Sequence, residues 1–286
     1  MTPTVTGFYD PDTATVTYLV RDPGSRSCAV IDPVLDYDAR SGRTATRSAE
    51  AVAKVIREEG LTLAWILETH AHADHITAAP YFKDAFGAPV GIGAAIADVQ
   101  KTWKDVYNYD GDFPADGSQF DRLFDDGDRF AIGDLAVTVW HTPGHTPACV
   151  TYLVGDAAFV GDTLFMPDGG TARVDFPGGD GRTLYESIRR ILSLPGETRI
   201  FVGHDYQPGG RAIAFETSVA AERADNIHVR DGVSADAYVA LRTARDATLK
   251  LPRLLLPALQ VNIRAGRFPP AEDNGTVYLK IPIDRL

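Results

Sequence analysis

The chain has 286 residues, 44% hydrophobic and 23% charged, and 28 Lys+Arg against 39 Asp+Glu leave a net charge of −11. That is globular composition, with enough apolar residues for one large domain or two small ones. The acidic balance argues against a nucleic-acid partner, which needs a basic footprint, and fits an anionic small substrate only if arginines gather at the site.

The two cysteines, Cys28 and Cys149, sit far apart in apolar stretches. They suggest no disulfide framework and point to a reducing compartment. The opening MTPTVTGFYDPDTATVTYLV has no basic segment leading into an apolar one, so no signal peptide is expected. No apolar run approaches the ~18 residues that span a membrane. The expectation is a cytoplasmic protein without a membrane partner.

Along the chain, TVTYLV (15–20) and SCAVIDPV (27–34) read as a strand pair joined by the turn-rich RDPGSR. The stretch 48–60 reads as a helix, with Ser48 as cap, Val52, Val55 and Ile56 on one face, and Gly60 as terminator. A buried strand is predicted over 62–70, a helix over 77–87, a strand over 88–93 and a helix over 94–103. The polar, turn-rich segment 104–128 reads as a loop of the length that flanks a site. Four strands between residues 129 and 165 follow, parted by Gly-Asp turns; then come a helix over 180–196, a strand over 198–206 and helices over 214–225 and 234–248. The tail 274–283 reads as a late strand or an extended arm.

The strands come in runs, in two successive halves. This favours an α+β protein with two sheets face to face and helices outside, rather than a doubly wound parallel sheet. One domain over 1–286 is expected, with about 207–286 a mainly helical C-terminal extension of it.

The segment ETHAHADHIT places His70, His72, Asp74 and His75 within six positions, and these include three of the seven histidines of the chain. If the strand continued through ETHAH, His70 and His72 would share a face, because strand side chains alternate. A turn near Asp74 would fold that carboxylate and His75 back toward the same centre. Further on, HTPGHTPAC supplies His141 and His145, FVGDTLF supplies Asp162, and FVGHDY supplies His204. Each motif lies where an apolar strand meets a Gly-containing turn. A lone histidine such as His141 or His228 is more often a surface or capping group. The Asp of a Gly-Asp pair is usually only a turn residue, and Cys149 reads as a small core hydrophobe. Three imidazoles and a carboxylate this close, however, have little structural use without a cation.

Taken in order, THAHADH, PGHT, GDTLF and GHDY resemble the metallo-β-lactamase superfamily over about residues 6–225. The resemblance implies an αββα sandwich with metal at one edge of the two sheets. His70, His72 and His145 would form one metal position; Asp74, His75 and His204 would form a second, with Asp162 bridging. The longer strings ILETHAHADHITAAPYFK, TPGHTPACVTYLVGD, the stretch from TARVDF to GHDY, and LQVNIRAG are similar to the persulfide dioxygenases. That branch implies one Fe(2+) per chain on His70, His145 and Asp162, two histidines and a carboxylate that leave positions open for oxygen. His72, Asp74, His75 and His204 would then support these ligands or be a second metal site. The substrates implied are glutathione persulfide and O2, and the products are sulfite and glutathione. Arg173 would meet a carboxylate of the glutathione moiety, with an ion pair to Asp175 as the structural alternative, and Tyr206 would be a catalytic hydroxyl facing the open positions. A homodimer is left open.

Two other functions are compatible with the same ligands. One is a glutathione thioester hydrolase of the glyoxalase II kind with two Zn(2+); the other is a metal-binding domain without catalysis. Against the best-known dioxygenases, the chain carries RVDF for RTDF, has no Cys within THAHADH, and places His228 where a later arginine falls. Segments 35–47 and 104–128 suggest a differently built mouth.

Overall fold

A computed structural model describes residues 1–109 and 113–285 of the chain. The first half comprises β1 (Thr4–Asp10), β2 (Thr15–Arg21), β3 (Ser27–Ile31), β4 (Val34–Asp38), β5 (Arg43–Ala45), α1 (Arg47–Glu58), β6 (Thr62–Leu67), β7 (Ile76–Thr77), α2 (Ala79–Phe86), β8 (Val90–Gly93), α3 (Ile96–Val106) and β9 (Arg122–Phe124). The second comprises β10 (Arg129–Ile132), β11 (Leu135–His141), β12 (Val150–Val154), β13 (Ala157–Gly161), α4 (Gly181–Ile191), β14 (Arg199–Val202), β15 (Glu216–Ser218), α5 (Val219–Asp225), α6 (Ala235–Asp246) and α7 (Leu255–Asn262).

One six-stranded sheet runs β1-β2-β3-β6-β8-β9, antiparallel over its first three strands and parallel thereafter. The other runs β10 to β15 in chain order, with β13 and β14 parallel. The pleat sorts side chains between layers. On β2, Val16, Tyr18 and Val20 enter the core between the two sheets, whereas Leu19 faces the core under α1, α2 and α3. On β13, Ala157 and Phe159 enter the inter-sheet core, while Ala158 and Val160 meet Leu184 and Ile188 of α4. Two helical layers thus enclose two sheets, the expected αββα sandwich.

Local chemistry explains the element boundaries. α1 buries Ala49, Val52, Ala53 and Ile56, one stripe at helical spacing. α4 starts where the Asp180 carboxylate accepts from Thr183 N. Several expectations need correction. The strand predicted over 62–70 ends at Leu67, so the histidine motif lies on bent, irregular backbone rather than in a strand. Likewise β14 stops at Val202, ahead of GHDY. Segment 104–128 is not all loop: α3 reaches Val106, β9 occupies Arg122–Phe124, and Phe113 and Phe120 are buried between them. Asp110, Gly111 and Asp112 of that segment lie outside the described residues. Residues 35–47 form most of the β4–β5 hairpin, and 214–225 begins as a strand before turning helical. The tail 274–283 forms no strand; the Gln260 amide holds it by donating to Lys280 O and accepting from Lys280 N. Among the described residues, no helix is long and apolar enough to cross a membrane.

Candidate metal centre

Every candidate ligand lies just past a strand, at one end of the sandwich. His70, His72, Asp74 and His75 follow β6, His145 lies between β11 and β12, Asp162 follows β13, and His204 follows β14. His70, His145 and Asp162 each offer a ligand atom, and these atoms lie within 4.8 Å of one another. His72, Asp74 and His75 form a second such group. Asp162 faces both ways, with Oδ2 3.7 Å from His145 Nε2 and Oδ1 3.3 Å from His204 Nε2.

Hydrogen bonds fix which nitrogens face inward. Asp32, just past β3, accepts from Thr69 N at 2.7 Å and Thr69 Oγ1 at 2.8 Å. With its only proton given to Asp32, the Thr69 hydroxyl accepts from His70 Nδ1, 3.0 Å away. Burial, with His72 and His145 alongside, holds the His70 pKa well below its ordinary value, so the ring is neutral and Nε2 is bare. His145 Nδ1 must be a donor, because its partner is the Arg173 carbonyl at 2.8 Å. His72 turns Nε2 toward Asp32 Oδ1 at 3.0 Å and Glu68 Oε2 at 3.5 Å. Burial disfavours its charge, but these carboxylates raise its pKa well above the ordinary range. On the far side, Thr15 Oγ1 lies 3.1 Å from Asp74 Oδ2, 3.3 Å from His75 Nδ1 and 3.4 Å from His204 Nδ1. Burial pushes the Asp74 carboxyl upward, yet His204 and His75 hold it well below the usual carboxylate range.

This network leaves His70 Nε2, His72 Nδ1, His75 Nε2, Asp162 Oδ1 and His204 Nε2 buried without hydrogen-bond partners. Orphaned buried polar atoms are costly and rare. His70 and Asp162 belong to one group of candidate ligands and His72 and His75 to the other, and bound cations would meet these orphaned atoms. The turns hold this set through close backbone packing. Gly161 has φ +51°, and a Cβ there would lie 2.4 Å from Thr69 Oγ1, so no other residue fits beside the hydroxyl that orients His70.

Beside the centre lies a cavity of about 460 Å3 lined by Asp74, His145, Asp162, Arg173 and Tyr206, among others. Tyr206 is 58% exposed and its ring stacks on His204 at 5.6 Å. Arg173 donates from Nε and Nη2 to the two Asp175 oxygens at 2.6 Å each, and from Nη1 to Lys250 O at 2.7 Å. The ion pair with Asp175 is therefore formed, and it takes part of a five-donor fork. Arg245, Lys250 and Arg253 line the same cavity and make no salt bridge among the described residues. In a chain of net charge −11, that is the local gathering of cations an anionic substrate requires. His228 does not line the cavity. Its Nδ1 accepts from Thr171 N at 3.0 Å, and burial, then Arg242 and Arg245, lowers its pKa to about 4. His141 donates to Pro147 O and also stays outside the centre.

Sequence reasoning missed Asp32, Thr69, Thr15, Glu68 and Asn262. Asp32 and Glu68 carry a signal, each a carboxylate closing an apolar strand, and each is 2% exposed; Thr69, Thr15 and Asn262 do not.

A profile of the metallo-beta-lactamase superfamily matches residues 10–204. The chain belongs to that superfamily, as an enzyme fold with the residues to bind a metal cofactor. Within it, the chain falls in the branch of the ETHE1 proteins. It is 32% identical to "Persulfide dioxygenase ETHE1, mitochondrial" of Homo sapiens, over 90% of this chain and 87% of that protein. The crystal structure of ETHE1 from Myxococcus xanthus superposes with a TM-score of 0.73 at 29% identity, over 92% of this chain and 100% of that one. Higher identities carry other names. "Probable metallo-hydrolase BURPS1710b_2304" of Burkholderia pseudomallei is 55% identical over 99% of this chain and 100% of its own length. "Beta-lactamase hydrolase-like protein" of Agrobacterium fabrum is 54% identical over 99% of this chain, which spans only 65% of that longer protein.

Proposed function

We propose that the chain is a persulfide dioxygenase that oxidises glutathione persulfide with O2, using one Fe(2+) held by His70, His145 and Asp162. The observation that carries this reading is the 4.8 Å grouping of two imidazoles and one carboxylate, with His72 outside that group and turned toward Asp32 and Glu68. Two histidines and a carboxylate are the donor set of non-haem Fe(2+) oxygenases. The ETHE1 relatives support the same reading.

The overall change balances: glutathione persulfide, O2 and water give glutathione, sulfite and two protons, the sulfane sulfur losing four electrons to dioxygen. Bound iron would supply one-electron chemistry with O2 and a soft acceptor for the terminal sulfur. The protein's own groups would do the rest. Thr69 and the Arg173 carbonyl hold His70 and His145 with Nε2 toward the iron position. Arg245, Lys250 and Arg253, with the unused N–H groups of Arg173, would hold the carboxylates of the thiol carrier in the cavity. Tyr206 would place its hydroxyl at the cavity side of His204.

A second reading, a dinuclear thioester hydrolase with two Zn(2+), is favoured by one observation: Asp74, His75 and His204 also converge, with two orphaned Nε2 atoms. The names of the relatives at 54–55% identity speak of hydrolases. The two readings part in one assay. Protein made in iron-sufficient medium should contain about one iron per chain, take up O2 with glutathione persulfide and release sulfite. Rapid hydrolysis of S-lactoylglutathione by protein holding two zinc ions, without O2 uptake on the persulfide, would establish the hydrolase instead.

A further inference from the structure

Asn262, the last residue of α7, has no part in the ligand set, yet its amide is wholly committed to the metal loop. Nδ2 donates to His72 O at 2.8 Å and to His75 O at 2.7 Å, and Oδ1 accepts from Thr77 N at 2.9 Å. The residue is 3% exposed. These three contacts bracket the stretch from His72 to Thr77, which contains Asp74 and His75 and closes the motif that begins at His70. From His72 to His75 the chain is irregular and bent, ahead of β7, so neither of the two carbonyls belongs to a strand ladder. Thr77 continues the brace, its hydroxyl donating to the buried carboxylate of Glu68 and accepting from Ala79 N.

The packing just past α7 points to the same role. Gly266 has φ +81°, and a Cβ there would lie 2.5 Å from Pro80 Cδ and 2.9 Å from Thr77 Cγ2. The turn after the helix is therefore seated directly on the loop. Gln100 Nε2, donating to Ile263 O at 2.8 Å, and Tyr107 OH, donating to Leu256 O at 2.9 Å, hold α7 from the α3 side.

We infer that Asn262 is a positioning residue for the metal centre, a side-chain clamp that sets the backbone of the His72–Thr77 loop and so the aim of its ligands. The C-terminal segment is thereby a working part of the centre, although the residues it holds lie some 185 to 190 positions earlier. An amide is the side chain this task requires: two N–H donors for two carbonyls and one oxygen for an N–H. Aspartate has the same shape but would turn a second oxygen toward both carbonyls.

The inference rests on the proposed metal site, and the test separates the two. Ferrous iron is titrated anaerobically into the metal-free full-length chain against a chromophoric chelator, for wild type, Asn262→Asp and Gln260→Ala, with a melting curve of each metal-free protein. Gln260 lies two residues earlier on α7, but its amide holds the Lys280 backbone instead of the loop. Asn262→Asp should weaken iron binding about 10–100-fold, the usual cost of removing a group that orients ligands. Gln260→Ala should bind iron as wild type does, even if it melts earlier. If Asn262→Asp does not fold, the same titration on Asn262→Ser decides. Wild-type affinity in the Asn262 variant, or an equal loss in Gln260→Ala, would overturn the clamp. A wild-type chain that binds no iron would instead count against the proposed function.

Discussion

Asp162 Oδ1 lies 3.3 Å from His204 Nε2, close enough that the two could share one ion. Its other oxygen faces His145, so a single carboxylate stands between both candidate positions. Alanine variants separate the possibilities. His70→Ala, His145→Ala and Asp162→Ala should lose iron and activity together. His72→Ala, Asp74→Ala, His75→Ala and His204→Ala should keep measurable iron with activity down about 10–100-fold. Metal per chain by elemental analysis is the readout. A wild type with two metals that falls to one in Asp74→Ala or His204→Ala would show a working second position.

Arg173 is expected to bind the substrate while paired with Asp175. The Asp175 side of its ion pair is 38% exposed and solvated, so the loss should leave the fold intact. Arg173→Ala should therefore fold, and KM should rise much more than kcat falls, because binding common to ground and transition states is lost. Steady-state oxygen uptake checks this. Unchanged kinetics would leave the arginine a purely structural role.

Gly161→Ala should be severe for its size. The left-handed backbone alone costs a non-glycine residue about 1–3 kcal/mol, and the new Cβ meets Thr69 Oγ1 at 2.4 Å. Displaced Thr69 can no longer orient His70, so thermal stability and iron content should fall together. A variant that loses stability but keeps its iron would show that Thr69 is not needed for that orientation.

Glu222 should make stability fall toward alkaline pH. It is buried, and desolvation raises its carboxyl to about 8, partly opposed by a hydrogen bond from Asn226. In the unfolded chain the group loses its proton near ~4.3. The folded state then binds the extra proton between these values, so the contribution is fully present below ~4.3 and is lost as pH rises through about 8. Glu222→Gln should flatten that decline, which for one such group has a slope of up to ~1.4 kcal/mol per pH unit. Urea unfolding across this range measures it. Parallel profiles for variant and wild type would show that Glu222 is ionised in the fold.

The ligands were legible in the sequence because each sits in a short motif between an apolar strand and a glycine turn. The groups that orient them were not. Thr15 lies mid-pattern at the start of an ordinary strand, and nothing local says that its hydroxyl will meet Asp74, 59 residues later. Asn262 reaches its partners across an even longer separation, in a helix that its own periodicity did not announce. The αββα arrangement followed from strands arriving in two runs. The first strand escaped notice because Gly7 interrupts it; a Cβ there would meet the Phe215 ring at 2.7 Å. Short strands such as β7 and β15 have too few residues to show a period and exist because a neighbouring strand pairs with them.

The candidate ligands come from both halves of the chain: His70, His72, Asp74 and His75 from the first sheet's loops, His145, Asp162 and His204 from the second's. At this end backbone hydrogen bonds also join the two halves, at the bridge between Thr15 and His204 and from Val150 N to Thr69 O. A cation here is consequently a rivet across the seam, and its binding energy adds to the cohesion of the two halves. Chelation would then reach well beyond the pocket, loosening amide protection in β6 and β14 at once and lowering the cooperativity with which the halves come apart.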